Sequence, residues 1–200
     1  MRLDKLENTI NIAIFASGEG SNAENIIQYF EPFLDANVAC VITNNENAGV
    51  IKRLRRYKIP TYYTKWYKEM DQLLTKHNVH YIVLAGYLDK IPINFCKKYK
   101  YKIINIHPAL LPKFGGKGMY GDNIHKAVKK SGINETGISI HIVNEEYDAG
   151  QIIFQKKIKI RPEDSWEYIK SMVHDLEIRF YPSVIEKFIK GTYKYLYEKG

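Results

Sequence analysis

Apolar runs and helical patterns alternate over the first third of the chain in the order strand, helix, strand, helix, strand. The first run, Asn11 to Ala16, reads Asn-Ile-Ala-Ile-Phe-Ala, almost without a polar break. Such a run suits a strand buried on both faces, as in a parallel sheet. Ser17-Gly18-Glu19-Gly20-Ser21-Asn22 follows, and a helix then places Ile26, Ile27 and Phe30 on one face. Val38 to Thr43 is a second buried strand, Asn44, Asn45 and Asn47 turn the chain, Gly49 to Tyr57 reads as a helix, and Ile59 to Tyr63 as a third strand. Parallel neighbours need a crossover connection, so this order implies an α/β fold: three layers, with a Rossmann-like, mostly parallel sheet flanked by helices. Ligands in such sheets sit outside the carboxyl ends of the strands.

The later pattern is consistent with this. Trp66 to His77 has helical spacing, and Tyr81 to Ala85 is a fourth strand. Pro92 opens a short helix carrying Phe95, and Asn123 to Lys130 is another helix. Thr136 to Val143 alternates between Ile138, Ile140 and Ile142 on one face and Ser139, His141 and Val143 on the other. Gln151 to Lys159 is a further strand. Asp164 or Ser165 caps a helical region in which Trp166, Ile169, Met172, Val173 and Leu176 form a packing stripe. Pro182 is expected to begin a last helix reaching Ile189, and the tail beyond Gly191 to add a short strand or stay loose. His77 and His80 have no partner in sequence and read as surface residues. The 200 residues are expected to form a single domain, 1–200, with a nucleotide-binding half over about 10–102 and a catalytic half over about 103–190.

Composition narrows the class. An apolar fraction of 45% supports a sizeable core, and no run approaches a membrane span. Met1 to Thr9 lacks the apolar centre of a signal peptide, so a soluble, cytoplasmic protein is expected. Cys40 and Cys96 sit in apolar surroundings, too few for a disulfide framework, and read as reduced core residues. The net charge of +8 fits either nucleic acid or an anionic small substrate. Pairs such as Lys97-Lys98 and Lys129-Lys130 are scattered, which favours a solvated surface.

Two stretches carry chemistry. Ile103-Ile104-Asn105-Ile106-His107-Pro108 is an apolar run ended by a proline, which cannot donate to the ladder. Residues i and i+2 of a strand share a face, so Asn105 and His107 reach one spot. An amide donor beside an imidazole suits a developing oxyanion and a moving proton; equally, both are buried polar residues with hydrogen bonds. The Ser17 to Asn22 turn leads into a helix N-terminus, where backbone N–H groups favour an anion such as phosphate. Its alternative is a tight turn with Ser21 or Asn22 as helix cap. The glycines between Lys113 and Gly121 mark a mobile or tightly turned loop, a possible lid. Asp148 stands in the turn Tyr147-Asp148-Ala149-Gly150, where an aspartate serves as a cap as readily as in catalysis.

Three motifs together resemble the phosphoribosylglycinamide formyltransferase family of folate-dependent formyl transferases: Ala16 to Asn22, Asn105 to Pro112, and Gly137 to His141 running to Asp148-Ala149-Gly150. The resemblance spans about residues 10–190. It implies that Asn105, His107 and Asp148 are catalytic and that 10-formyltetrahydrofolate is the co-substrate. The acceptor it implies is the amine of glycinamide ribonucleotide. It places the phosphate at Gly20, Ser21 and Asn22, with Glu177 orienting the ribonucleotide. It places the folate on Leu88, Asp89, Lys90 and Ile91, on Asn105, and on Asn144, Glu145, Glu146, Tyr147 and Asp148. Protonated His107 and the Asn105 amide would donate to the oxyanion, while Asp148 would favour the imidazolium and relay the amine's proton. Each such donor is typically worth roughly 3 kcal/mol. No metal is implied. Partners would be small molecules, without nucleic acid or membrane, and the protein a monomer or weak homodimer. Ser139 and His141 match the third motif, with His141 either supporting the site or packing; His174 either meets the phosphate or lies on a solvated helix face. Family members commonly carry arginine where Asp89 stands, and many have a Pro-Gly turn with a following histidine where this chain has Gly115 to Gly121.

Other classes make different demands. Methionyl-tRNA formyltransferase carries an extra C-terminal domain and formyltetrahydrofolate deformylase an extra N-terminal one, and neither is expected to have the Ser17 to Asn22 loop in this form. A basic nucleic-acid-binding domain would cluster its Lys and Arg with stacking aromatics, whereas the 16 tyrosines here are spread along the chain.

Overall fold

In the computed structural model the apolar run becomes strand β1 (Ile10–Phe15), with its last four residues fully buried. The structure describes residues 9–33 and 35–196. The chain divides into two compact units, Met1–Asp89 and Lys90–Gly200. The division falls ahead of the helix opened by Pro92 rather than near residue 102.

In the first unit, β1 pairs in parallel with β2 (Ala36–Thr43) on one side and with β4 (Tyr81–Leu84) on the other, and β2 pairs in parallel with β3 (Thr61–Tyr63). Helices α1 (Ser21–Phe30), α2 (Gly49–Arg53) and α3 (Tyr67–Lys76) lie between the strands in sequence. Helix α1 buries Ala23, Ile26, Ile27 and Phe30, the stripe its spacing demands. The turns at the strand ends are tied by Ser17. Its hydroxyl donates to Asn44 Oδ1 at 2.6 Å and accepts the Leu88 N–H at 3.0 Å. His77 and His80 are not the unpartnered surface residues expected. His80 Nδ1 accepts the Asn11 N–H at 2.9 Å, and His77 Nε2 pairs with the Tyr62 hydroxyl at 2.9 Å. Both contacts join residues more than ten apart, which local spacing does not reveal.

The second unit holds α4 (Ile93–Lys98), β5 (Ile103–His107), α5 (Asp122–Lys130), β6 (Glu135–Ile142), β7 (Ile152–Lys159) and α6 (Trp166–Ile189). Strand β6 runs antiparallel to both β5 and β7. Ser165, not Asp164, caps α6 by accepting the Tyr168 N–H, while Asp164 accepts the Arg161 N–H. Pro182 does not begin a new helix; it lies inside α6, which runs 24 residues. A proline in a helix interior costs about 3 kcal/mol. Val184, Ile185 and Phe188 beyond it are buried, and each such side chain returns about 1.5–3 kcal/mol. Continuity of the helix therefore wins. The buried Tyr181 hydroxyl reaches the Ile104 carbonyl at 3.5 Å, which sets α6 against the strand carrying Asn105 and His107. The tail forms a 3₁₀ turn at Lys194–Leu196, and residues 197–200 lie outside the described residues. Cys40 and Cys96 are buried free thiols, and burial pushes Cys40 up to about 12. No helix among the described residues is long and apolar enough to cross a membrane.

The turn after β1 makes a stability prediction. Gly20 has φ 76°, and a Cβ there would meet Val50 Cγ2 at 2.5 Å and its Cα at 2.8 Å, whereas Gly18 has nothing within 4 Å of such a Cβ. Gly20→Ala should cost about 2–4 kcal/mol, combining left-handed strain with overpacking. Gly18→Ala should stay within about 0.5 kcal/mol. Urea denaturation of the two variants measures the contrast, and equal losses would show that the turn is not built as described.

Candidate active site

Antiparallel pairing places Asn105 opposite His141 and His107 opposite Ser139. Residues paired across antiparallel strands share a face, so all four polar side chains point to the same side of β5 and β6. The Asn105 amide nitrogen lies 3.2 Å from His141 Nε2, and His141 Nδ1 donates to the Ile142 carbonyl at 3.0 Å. A carbonyl only accepts, so His141 carries a hydrogen on Nδ1, and its Nε2 lies between the Asn105 amide and the Asp148 carboxylate. His141 is thus a support of Asn105 and not merely a packing residue.

Asp148 comes from the turn after β6 with φ 52°, a conformation a non-glycine residue adopts at a cost of about 1–3 kcal/mol. Its carboxylate lies between the two imidazoles, 3.5 Å from His107 Nδ1 and 3.6 Å from His141 Nε2. The Gly116 N–H donates to Oδ2 at 2.9 Å. A Cβ on Gly150 would run into the Ile142 carbonyl oxygen, so only glycine lets the turn close here. Burial pushes the Asp148 carboxyl up, but the His141 hydrogen bond, the His107 charge and the Gly116 N–H outweigh it and hold the group below its ordinary range.

For His107 the balance goes the other way. Burial pushes it down; Asp148 and the Phe114 carbonyl pull it up without overcoming burial. The net direction is downward, so the free protein holds a neutral imidazole more firmly than an ordinary histidine does. Asp148 favours the imidazolium, as expected of a neighbouring carboxylate, yet does not decide the state.

The chain after His107 is pinned by Ser139, a residue of the third motif, and by Gln155, which the sequence did not mark. Ser139 Oγ donates to the Ala109 carbonyl at 2.7 Å and accepts the Leu111 N–H at 2.9 Å. Gln155 Nε2, from β7, donates to Ser139 Oγ and to the Leu111 carbonyl. Gln155 occupies an unremarkable polar position in its strand, so only the β6–β7 register reveals it. The loop from Lys113 to Gly121 is tightly turned, with positive φ at Phe114, Gly116, Gly118 and Gly121. His125 on α5 is buried, its Nδ1 has no hydrogen-bond partner, and Glu177 and His107 both act on it electrostatically.

The other expected site residues fall as follows. Gly20, not Ser21 or Asn22, occupies the N-cap position of α1, in a left-handed conformation. Glu24 in that turn is clasped by Arg53 and Arg56, so its charge is internally balanced. Leu88 is 49% exposed and Asp89 is exposed in the first unit. In the second unit Ile91 is buried, and Lys90 lies over the Tyr147 ring. The Cys96 thiol donates to the Asn144 carbonyl at 3.3 Å and to the Ile91 carbonyl at 3.7 Å, joining both segments expected to hold folate. Asn144 Oδ1 accepts the Glu146 N–H, which turns the loop that ends in Asp148, while Glu145 and Glu146 are exposed. Glu177 pairs with His174 at 3.2 Å, and that bond raises the His174 pKa. Among the described residues no group of histidine, cysteine and carboxylate side chains is arranged to hold a metal ion.

Titration checks this electrostatic picture. His107 should titrate below the ordinary imidazole value of about 6.5, and Asp148→Asn should lower it further by removing the charge that raises it. Burial also lowers His125. For both groups the folded pKa lies below the unfolded one, so their stability contribution is complete above the ordinary imidazole range and declines as pH falls through it. NMR titration of the ring protons reads the pKa values. A His107 value above the ordinary one would mean that the carboxylate, not burial, governs the ring.

Comparison with known proteins gives the same assignment from another direction. Residues 10–185 match the formyl transferase family model. Phosphoribosylglycinamide formyltransferase of Haemophilus influenzae is 37% identical over 90% of this chain and 87% of its own length. The chloroplastic phosphoribosylglycinamide formyltransferase of Arabidopsis thaliana is 36% identical over 87% of this chain, which spans 63% of that relative. The crystal structure of phosphoribosylglycinamide formyltransferase from Anaplasma phagocytophilum superposes with a TM-score of 0.82 at 32% identity, covering 89% of this chain and 86% of that one. The chain belongs to the formyl transferase family and, within it, groups with the phosphoribosylglycinamide formyltransferases.

Proposed function

We propose that this chain transfers the formyl group of 10-formyltetrahydrofolate to the amine of glycinamide ribonucleotide. The products are formylglycinamide ribonucleotide and tetrahydrofolate, a step of de novo purine synthesis. The observation that carries the reading is the single polar face on which Asn105, His107 and Asp148 converge, with His141 behind the amide. Attack of an amine on a formyl carbon places negative charge on oxygen and requires a proton to leave the amine and another to reach the departing nitrogen. The Asn105 amide, braced by His141, is the donor for that oxygen. A neutral His107 accepts a proton readily, and the adjoining carboxylate stabilises the cation that results. The charge stabilisation comes from amide and imidazole, so the reaction as read calls for no metal.

The family resemblance supports the remaining assignments. Gly20, Ser21 and Asn22 receive the phosphate at the start of α1, where glycine holds the N-cap position. Glu177 orients the ribonucleotide. Leu88 to Ile91 and Asn144 to Asp148 hold the folate, with Cys96 fixing the Ile91 and Asn144 main chain. In this reading the chain acts as a single cytoplasmic formyltransferase domain on small molecules.

A spectrophotometric assay with 10-formyltetrahydrofolate, run with and without glycinamide ribonucleotide, tests the reading. Turnover should require the ribonucleotide; turnover with water alone would indicate a deformylase. His107→Ala and Asp148→Asn should each lower kcat by roughly 10²–10⁴-fold with the fold intact, as for loss of an acid–base group. Near-normal turnover in either would remove that residue from the mechanism. Ser21→Asp should raise KM for the ribonucleotide by charge repulsion and leave folate binding nearly unchanged, and an equal loss of both would count against the phosphate assignment.

A further inference from the structure

The turn between β1 and α1 has its carbonyls taken one after another. The Gly18 carbonyl accepts the Val50 N–H at 3.0 Å, and the Gly20 carbonyl accepts the Glu24 N–H at 2.9 Å. Between them, the Glu19 carbonyl accepts the Arg53 Nε–H at 2.6 Å. A trans peptide is planar, so its C=O and the next residue's N–H point opposite ways. Each anchored carbonyl therefore fixes the N–H that follows it. The Glu19 and Gly20 N–H groups are turned away from α2, and the Ser21 N–H away from the body of α1. Two of these three peptides are held by main chain, which no substitution removes. The middle one, Glu19–Gly20, is held by a single side chain.

That side chain is itself held. Arg53 Nη1 pairs with Glu24 Oε2 at 3.0 Å, and Arg56 pairs with Oε1. The Tyr57 hydroxyl also donates to Glu24 Oε1, at 3.2 Å, and accepts from Gln28 Nε2 at 2.6 Å. A guanidinium is a rigid planar fork, so seating one nitrogen on Glu24 aims the Nε–H at the Glu19 carbonyl. The Glu19 carboxylate lies on this side too, because a Cβ on Gly49, the first residue of α2, would run into it. Lys52, Arg53 and Arg56 line the same groove as Glu19 and Glu24. Both carboxylates near the helix start thus lie on the α2 side, among cations, and not on the side to which the Gly20 N–H points.

We propose that Arg53 is a positioning residue for the ribonucleotide phosphate: its guanidinium, anchored on Glu24, holds the Glu19 carbonyl so that the Gly20 N–H is presented to the anion. The inference rests on the phosphate assignment above and names the group that keeps the turn ready. Arg53 acts through the backbone and does not touch substrate. Without its bond the Glu19–Gly20 peptide is free to rotate, the more so because Gly20 carries no Cβ. If the N–H is then presented one time in ten, apparent affinity for the anion falls about tenfold.

Inorganic phosphate is the probe, titrated into the full chain labelled with nitrogen-15 and read at the backbone amides of the turn. In the wild type the Gly20 amide should move on titration. Arg53→Met keeps an unbranched stem and has no donor, and its dissociation constant for phosphate should rise about tenfold or more. In turnover the same variant should raise KM for glycinamide ribonucleotide by a similar factor. Its kcat at saturating ribonucleotide and its KM for the folate should stay within about twofold. Two further variants separate position from charge. Arg53→Lys keeps the charge but has no fork to span Glu24 and the Glu19 carbonyl, so it should resemble Arg53→Met. Lys52→Met removes a like charge from the same groove and leaves the Arg53 bond in place, so phosphate affinity should change by less than about threefold. Full recovery with lysine at 53, or an equal loss in Lys52→Met, would show that Arg53 supplies only charge and would overturn the proposal. If Arg53→Met does not fold, Arg53→Lys decides the matter. A wild-type response that survives unchanged in the Arg53 variants defeats this proposal alone. If phosphate moves no amide of Gly20, Ser21 or Asn22 in the wild type, the phosphate assignment itself fails and the proposal falls with it.

Discussion

The Asp148 carboxylate, held between two imidazoles and one backbone N–H, is the constraint on which the second unit's polar face depends. A carboxylate taken out of water must be paired and hydrogen-bonded, or it protonates and the arrangement is lost. Here the pairing is spread over His107, His141 and Gly116, which lie on different elements. The antiparallel register of β5 and β6 brings the histidines to one side, and the left-handed backbone at Asp148 delivers the carboxylate between them. The strain of that backbone, about 1–3 kcal/mol, is small beside the cost of leaving such a charge buried and unpaired, about 3–5 kcal/mol.

The same carboxylate meets opposite outcomes at its own site and at His107. Its own ionised form is favoured because hydrogen bonds and neighbouring rings outweigh burial. The His107 cation is disfavoured because burial outweighs the carboxylate. The result is an ionised acid beside a neutral base, a division of protonation states within one small cluster. A base that starts neutral and has a carboxylate ready to stabilise its cation suits proton transfer from an amine near neutral pH. A carboxylate beside an imidazole does not by itself imply an imidazolium; the depth of burial decides.

How much of this was legible in the sequence depends on the range of the interaction. The i, i+2 spacing of Asn105 and His107, the proline that ends their strand, and the buried stripe of α1 are local patterns, and each became the expected element. Asp148 in isolation looked like any turn aspartate; only its place in a motif shared with a family marked it. Gln155 had no signal at all, because its role arises from a register between strands that the sequence does not print. His77 and His80 were misread for the same reason. Pro182 was misread because a local rule about proline met a tertiary fact, the burial of Val184, Ile185 and Phe188 beyond it.

The part of the site least legible in the sequence is made of main chain. The Phe114 carbonyl and the Gly116 N–H contact the two titrating groups, yet neither depends on the chemistry of its own side chain. What the loop must preserve is a backbone path: left-handed at Phe114 and Gly116, and without a Cβ at Gly115. Glycine content records the freedom to follow such a path but not which groups the path presents. The glycines between Lys113 and Gly121 suggested a mobile or tightly turned loop; the structure shows a tight turn whose Phe114 carbonyl and Gly116 N–H reach the imidazole and the carboxylate. Reading such loops from sequence requires asking where each carbonyl and N–H ends, as for any backbone group near a buried charge.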